Sequence, residues 1–143
     1  MEIAIRRMST NDAGGVTDLT HQLGYSLSRD QILENMKAVL GNADHDGFVA
    51  VAGEEVIGWI GVKHAFQIET PAFCEIHGLV VSDKYRNRGI GKMLIEKARQ
   101  WGREKGNAKL RLRCNVKRIE THLFYQHLGF KETKQQKVYE IDI

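Results

Sequence analysis

The sequence predicts a mixed α/β fold, a mostly antiparallel sheet with helices on both faces, in the order β-α-α-β-β-β-α-β-α-β. Three observations predict it. Short apolar runs, some alternating in steps of two (Ile3 and Ile5, Leu110 and Leu112), read as strands. Ile90, Met93, Leu94, Ala98 and Trp101 share one face of a 3.6-residue period and read as an amphipathic helix. Gly24, Gly41, Gly106 and Gly129 each close a helical pattern, with a left-handed stop expected at Gly106. At 143 residues the chain is long enough for one domain, 1–143, with a proper core.

Taken in order, Glu2–Met8 is the first strand. Ser9 or Thr10 then caps a helix carrying Ala13, Val16, Leu19 and Leu23. Ser28-Arg29-Asp30-Gln31 is a capping box and opens a second helix with Ile32, Met36, Val39 and Leu40 inward. Between these helices Tyr25 either packs the loop down or faces a ligand. Phe48–Ala52 and Val56–Val62 are strands joined at Gly53-Glu54, a hairpin signal. Gly58 and Gly61 within the second imply a bulge or a close approach of another segment. A strand begins near Ala72 and runs to Val81, and the amphipathic helix follows. Lys109–Cys114 is a further strand, with Leu110 and Leu112 on one face and Arg111 and Arg113 on the other. Ile119–Leu128 is a helix with Ile119, Leu123, Phe124 and Leu128 available as core. Phe130–Thr133 and Val138–Ile143 are expected to close the chain as a hairpin.

Composition excludes several classes. Apolar residues make up 42% and charged residues 27%, ordinary values for a globular protein. The longest apolar runs are far too short to span a membrane, and the first residues carry no signal-peptide core. Two cysteines, Cys74 and Cys114, suggest no disulfide framework and suit a reducing cytoplasm. The six histidines lack metal-ligand spacing, so no metal is expected. The net charge of +3 hides a split. Residues 1–75 hold 5 basic and 11 acidic side chains, a net −6, whereas residues 76–143 hold 16 and 7, a net +9. The basic half suits a polyanionic partner and the acidic half a cationic one, such as an amine. Basic residues without interleaved aromatics argue against nucleic acid.

The densest chemistry lies between Glu75 and Gly106. The apolar strand ends in Leu79-Val80-Val81, turns through Ser82-Asp83-Lys84-Tyr85, and meets Arg86-Asn87-Arg88-Gly89-Ile90-Gly91-Lys92. With both glycines in the first helical turn, a phosphate can approach backbone N–H groups that have no intrahelical partner. Arg86, Arg88 and Lys92 add cations around the same turn. Neither G-x-x-x-x-G-K-[ST] nor G-x-G-x-x-G is present, so the cradle is not that of a nucleotide P-loop or a dinucleotide fold. Glu75 and His77, two apart on the strand, share a face and can take a proton. The alternative for Glu75 is a partly buried acid paired with a neighbouring arginine or backbone group.

The R-x-x-G-x-G run, set between a strand and a helix, resembles the signature of the GNAT superfamily of N-acetyltransferases. Asn115-x-x-Arg118 followed by Phe124-Tyr125-x-x-Leu128-Gly129-Phe130 resembles that family's second motif, and the element order matches along the whole chain. The resemblance implies acetyl-CoA as cofactor. It places Arg86, Asn87, Arg88, Gly89, Ile90, Gly91 and Lys92 on the pyrophosphate. Leu79, Val80 and Val81 would lie along the pantetheine arm, with Asn115 and Arg118 beside it. The Leu79 N–H would face the thioester oxygen, and the Tyr125 hydroxyl would lie near the sulfur as acid or holder. Glu75 stands fourteen residues before Gly89, the separation of the catalytic glutamate in the histone-acetyltransferase branch, and ranks ahead of His77 as base.

The same resemblance makes Tyr25 and Glu75 acceptor contacts and homodimerisation a family habit. Gly58-Trp59-Ile60 and the run ending in Leu128-Gly129-Phe130 look like the aminoglycoside 6′-N-acetyltransferase-like branch, which favours a small cationic amine. A protein lysine or N-terminus as acceptor, or a non-catalytic acyl-CoA sensor, are the alternatives.

Overall fold

A computed structural model describes residues 2–143. Residues up to Arg113 form one compact unit and Cys114–Ile143 a second. The first contains a five-stranded sheet in the order β1 (Ile3–Arg7), β2 (His45–Ala52), β3 (Glu55–Ala65), β4 (Phe73–Val81) and β5 (Leu110–Leu112). The first three pairings are antiparallel and the last is parallel. This is the predicted mixed sheet.

Helices α1 (Ala13–Gln22) and α2 (Arg29–Leu40) cover one face. The Ser28 hydroxyl accepts from the Gln31 N–H at 3.2 Å, so Ser28 caps α2, but the Gln31 side chain donates to Asn35 and does not close the expected capping box. Ala13, Val16, Ile32 and Met36 bury against Val49 and Val51, with Trp59 packed at their edge. Each large apolar side chain so buried contributes about 1.5–3 kcal/mol. A bidentate pair between Arg6 and Asp12, at 2.8 and 2.9 Å, ties the 3-10 turn before α1 back to β1. That hydrogen-bonded guanidinium holds the Asp12 carboxyl below its usual range.

Helix α3 (Ile90–Glu104) covers the opposite face with Ile90, Leu94, Ile95, Ala98 and Trp101 buried. Met93, expected on that face, is 37% exposed, and Ile95 takes its place. The helix lies close because β3 has no side chain at Gly58. A Cβ there would meet Leu94 at 3.2 Å and the Val80 carbonyl at 3.1 Å. Helix α3 also starts later than expected, at Ile90. Arg86, Asn87 and Arg88 form a loop, and Gly89 caps the helix in the left-handed region, φ 76°.

The second unit holds α4 (Ile119–His127), closed by Gly129 at φ 96°. No residue of α4 is buried, and Ile119, Leu123 and Phe124 are exposed, against the expectation that they form core. Thirty residues cannot enclose a core by themselves. The terminal hairpin is absent too. Val138, Tyr139, Ile141 and Ile143 are all exposed and residues 130–143 join no ladder. Alternation alone does not make a strand, because an isolated two-stranded hairpin is marginal in water.

Candidate active site

Strands β4 and β5 pair only at Cys74↔Leu110, Glu75↔Arg111 and Ile76↔Leu112. Beyond Ile76 the edge of β4 is open as far as Val81. Its other edge follows β3, and the Ser82 N–H donates to the Ile57 carbonyl at 2.8 Å. In an antiparallel ladder hydrogen-bonded pairs alternate, so Val80 and Gly78 turn their peptide groups to β3. Leu79 and Val81 turn theirs to the open side. Of the three residues expected along an extended ligand, Leu79 presents both backbone groups and Val81 its N–H, the Val81 carbonyl being held by Gln22, whereas Val80 presents neither.

A bulge reshapes the middle of β4. Gly61 pairs with Gly78 and Val62 with Ile76, which leaves His77 as the extra residue. The His77 ring lies over Gly61, where a Cβ would overlap it. Reciprocally, the Trp59 ring covers Gly78, where a Cβ would stand 2.5 Å from it. The bulge or close approach expected around Gly61 is therefore present, and both glycines are seats for aromatic rings from the neighbouring strand.

The face turned toward α1 and α2 carries Glu75, His77, His45 and Lys63. Glu75 is 5% exposed. Lys63 Nζ stands 3.4 Å from its Oε1 and Arg113 Nε 3.7 Å from its Oε2, and Oε2 has no hydrogen-bond partner among the described residues. His45 Nδ1 and Trp59 Nε1 are likewise buried and unpartnered. Three orphaned polar atoms on one face mark a place for a polar ligand. His77 keeps a solvent-facing edge, but its ring is crowded on the flank that lies over Gly61. Burial, and then His45 at 6.1 Å and Lys63, push the imidazole below its ordinary value, while Glu75 opposes them. Glu75 and His77 are brought together, as expected. Tyr25 is not packed down: it is 62% exposed, past the end of α1.

The loop before α3 is rich in free donors. Among the described residues none of the N–H groups from Arg86 to Lys92 meets an acceptor; the first helical bond to Gly89 comes from Met93. Asn87 (φ 63°) and Gly89 are both left-handed, a backbone shape that gathers N–H groups on one side. Nothing stands within 4 Å of where a Gly89 Cβ would be. Asp83 holds Arg86 at 2.7 Å, Arg88 lies 5.4 Å over the Tyr85 ring, and Lys92 has no ion pair among the described residues. Free donors, open space and cations fit a pyrophosphate.

Sequence reasoning missed Gln22. Its Nε2 donates to the Val81 carbonyl and its Oε1 accepts from the Asp83 N–H, at 3.0 and 3.1 Å. One side chain at the end of α1 thus fixes both the last residue of β4 and the first of the loop. Glutamine near a helix end carries no sequence signal for this role. Lys63 was missed as well, although its register opposite Glu75 follows once the hairpin and the bulge are known.

In the second unit the Asn115 carbonyl accepts from the Arg118 N–H and from His122 Nε2 at 2.7 Å, and its side-chain oxygen accepts from the Lys117 N–H. Among the described residues the Asn115 amide NH₂ meets no acceptor. Tyr125 lies between Phe124 and Phe130, with centroids 5.4 and 5.8 Å away. Burial pushes its hydroxyl pKa up, with Cys114 adding to the rise and Arg118 opposing it. The phenol is therefore protonated at neutral pH and able to donate.

Residues 17–130 match the family model described as the acetyltransferase (GNAT) family. The chain belongs to the GNAT family. An uncharacterised N-acetyltransferase of Methanocaldococcus jannaschii is 32% identical over 97 residues, 66% of this chain and 43% of that protein. The chain thus spans less than half the length of the first curated relatives it matches. The aminoalkylphosphonate N-acetyltransferase of Salmonella typhimurium is 28% identical, with 90% of this chain and 85% of that one aligned. Among solved structures, an aminoglycoside N-acetyltransferase in complex with CoA superposes with a TM-score of 0.89 at 23% identity, covering 99% and 96% of the two chains. That likeness establishes a shared GNAT fold. No described helix is long and apolar enough to cross a membrane.

Proposed function

We propose that this GNAT chain transfers an acetyl group from acetyl-CoA to a small primary amine, cationic when it arrives, by direct attack in a ternary complex. The observation that carries the reading is the open edge of β4, flanked by the unclaimed N–H groups of residues 86–92 and the unpartnered Oε2 of Glu75. The loop residues Arg86, Asn87, Arg88, Gly89, Ile90, Gly91 and Lys92 hold the pyrophosphate, and Leu79 and Val81 pair with the amide-bearing arm as an added strand would. Bound there, acetyl-CoA supplies the thioester.

Glu75 takes the proton that the ammonium must lose before its nitrogen can attack, directly or through water, with His77 as the second candidate. The Leu79 N–H donates to the carbonyl oxygen as charge develops on it. The C–N bond forms as the C–S bond breaks; the departing sulfur receives a proton from Tyr125, and the proton that the new amide nitrogen must still lose returns to the phenolate through water. Tyr125, Asn115 and Arg118 are assigned on their motif. A thioacyl-enzyme route is disfavoured at Cys74. Its side chain is buried against Gly102 of α3, away from the Glu75 face, and burial pushes the thiol up to about 11. Both cysteines are free, which suits a reducing compartment such as the cytoplasm.

Thiol release from acetyl-CoA, measured against polyamines, aminoglycosides, amino acids, aminophosphonates and short peptides, tests the proposal. Saturable turnover on a small amine supports it. Turnover confined to peptides replaces the acceptor class, and silence with acetyl-CoA bound points to a sensor. Tyr125→Phe is expected to lower kcat about 3- to 10-fold without abolishing it, because a thiol of pKa near 8.5 leaves with little help. A loss of several hundredfold would make Tyr125 indispensable and overturn its secondary role.

A further inference from the structure

The surroundings of Glu75 are more basic than a site for a simple ammonium requires. Lys63 and Arg113 both approach its carboxylate, from β3 and from the end of β5. Arg111 stands directly opposite Glu75 in the β4–β5 ladder. Its guanidinium lies 4.6 Å over the Phe73 ring, on the same face of β4 as Glu75. Arg111 is half-buried, yet among the described residues it makes no ion pair and donates no side-chain hydrogen bond. Three cations therefore face one carboxylate. Lys63 and Arg113 share Glu75, and Arg111 has no counter-charge.

A guanidinium partly removed from water, held over an aromatic ring and making no side-chain hydrogen bond among the described residues, is poised for a bidentate anion. Glu75 Oε2, also without a hydrogen bond, is the complementary acceptor for an ammonium. Together they offer one subsite for each sign of charge, on neighbouring strands.

We propose that the acceptor is a zwitterionic amine carrying a carboxylate or phosphonate. Arg111, supported by Arg113 and Lys63, holds that anion while Glu75 receives the ammonium. This rests on the acetyl-transfer reading and narrows its substrate class. Aminoglycosides and polyamines, which lack the anion, are then the weaker acceptors.

Four 3-substituted propylamines that differ only at the far end test it: 4-aminobutanoate, 3-aminopropylphosphonate, 3-amino-1-propanol and 1,3-diaminopropane. With the whole chain and saturating acetyl-CoA, one or both anion-bearing amines should exceed the alcohol in kcat/KM by about 10-fold or more, with the diamine lowest. Which of the two leads distinguishes carboxylate from phosphonate. Arg111→Gln should bring the ratio of anionic to neutral amine close to one, and Arg111→Lys should restore part of it. A diamine preferred over both anions, or a ratio unchanged in Arg111→Gln, overturns the proposal while acetyl transfer stands. Turnover of none of the four, while an aminoglycoside or polyamine is acetylated, overturns this proposal and leaves the small-amine reading; silence on both sets, with acetyl-CoA bound, overturns both.

Discussion

Glu75→Gln lowers kcat by about 10²-fold or more and leaves acetyl-CoA binding intact, the expected effect of losing a general base. The substitution keeps the side chain's shape and one oxygen acceptor but removes the site that takes the proton. It also frees Lys63 and Arg113 from their carboxylate. Both cations reach solvent, at 37% and 61% exposed, so the fold should tolerate the change. Rates at saturating amine, with the acetyl-CoA-induced melting shift measured alongside, separate chemistry from binding. His77→Gln is the companion variant. If Glu75→Gln retains wild-type kcat and His77→Gln loses it, the base is His77, whose depressed pKa keeps its imidazole neutral at neutral pH.

The second large effect is expected at Gly89. Acetyl-CoA in hundredfold excess over its dissociation constant should stabilise the wild type by about 2.7 kcal/mol. Gly89→Glu should abolish that stabilisation, because it sets a carboxylate among the N–H groups that would face the pyrophosphate. At φ 76° any Cβ carries a strain of about 1–2 kcal/mol. Gly89→Asn is therefore the control. Asparagine tolerates the left-handed region, adds no charge, and meets nothing within 4 Å of its Cβ. Asn should retain most of the melting shift and Glu none. An equal shift in all three proteins would move the phosphate site elsewhere.

Local pattern carried most of the fold into view. The Ser28 cap, the Gly53 turn and the stops at Gly24, Gly106 and Gly129 are decided by a few neighbouring residues, and each appears where its chemistry requires. The bulge at His77 was visible as Gly61 in an apolar strand, though not which residue of the partner strand would be extruded. What failed depends on distant partners. Ile119, Leu123 and Phe124 have a helical period but no buried surface within their unit, and Val138–Ile143 alternates with no edge to pair with. For the site, Glu75 and His77 were legible because two residues of one strand can share a face. Lys63 comes from another strand and Arg113 from just beyond a third, so only register places them. The charge split along the chain gave no hint that Arg111, Arg113 and Lys63 surround the one buried acid of β4.

The ring-on-glycine contacts between β3 and β4 bear on how this sequence can drift. At Gly61 and Gly78 any larger residue collides with His77 or Trp59 unless that ring has already been exchanged for something small. The opposite order, ring first, leaves an empty seat on the sheet, which costs packing but is sterically open. Homologues should therefore vary at these four positions in couples, 61 with 77 and 59 with 78. A lineage that trades away His77 gains freedom at 61 and gives up the alternative base beside Glu75 in the same step.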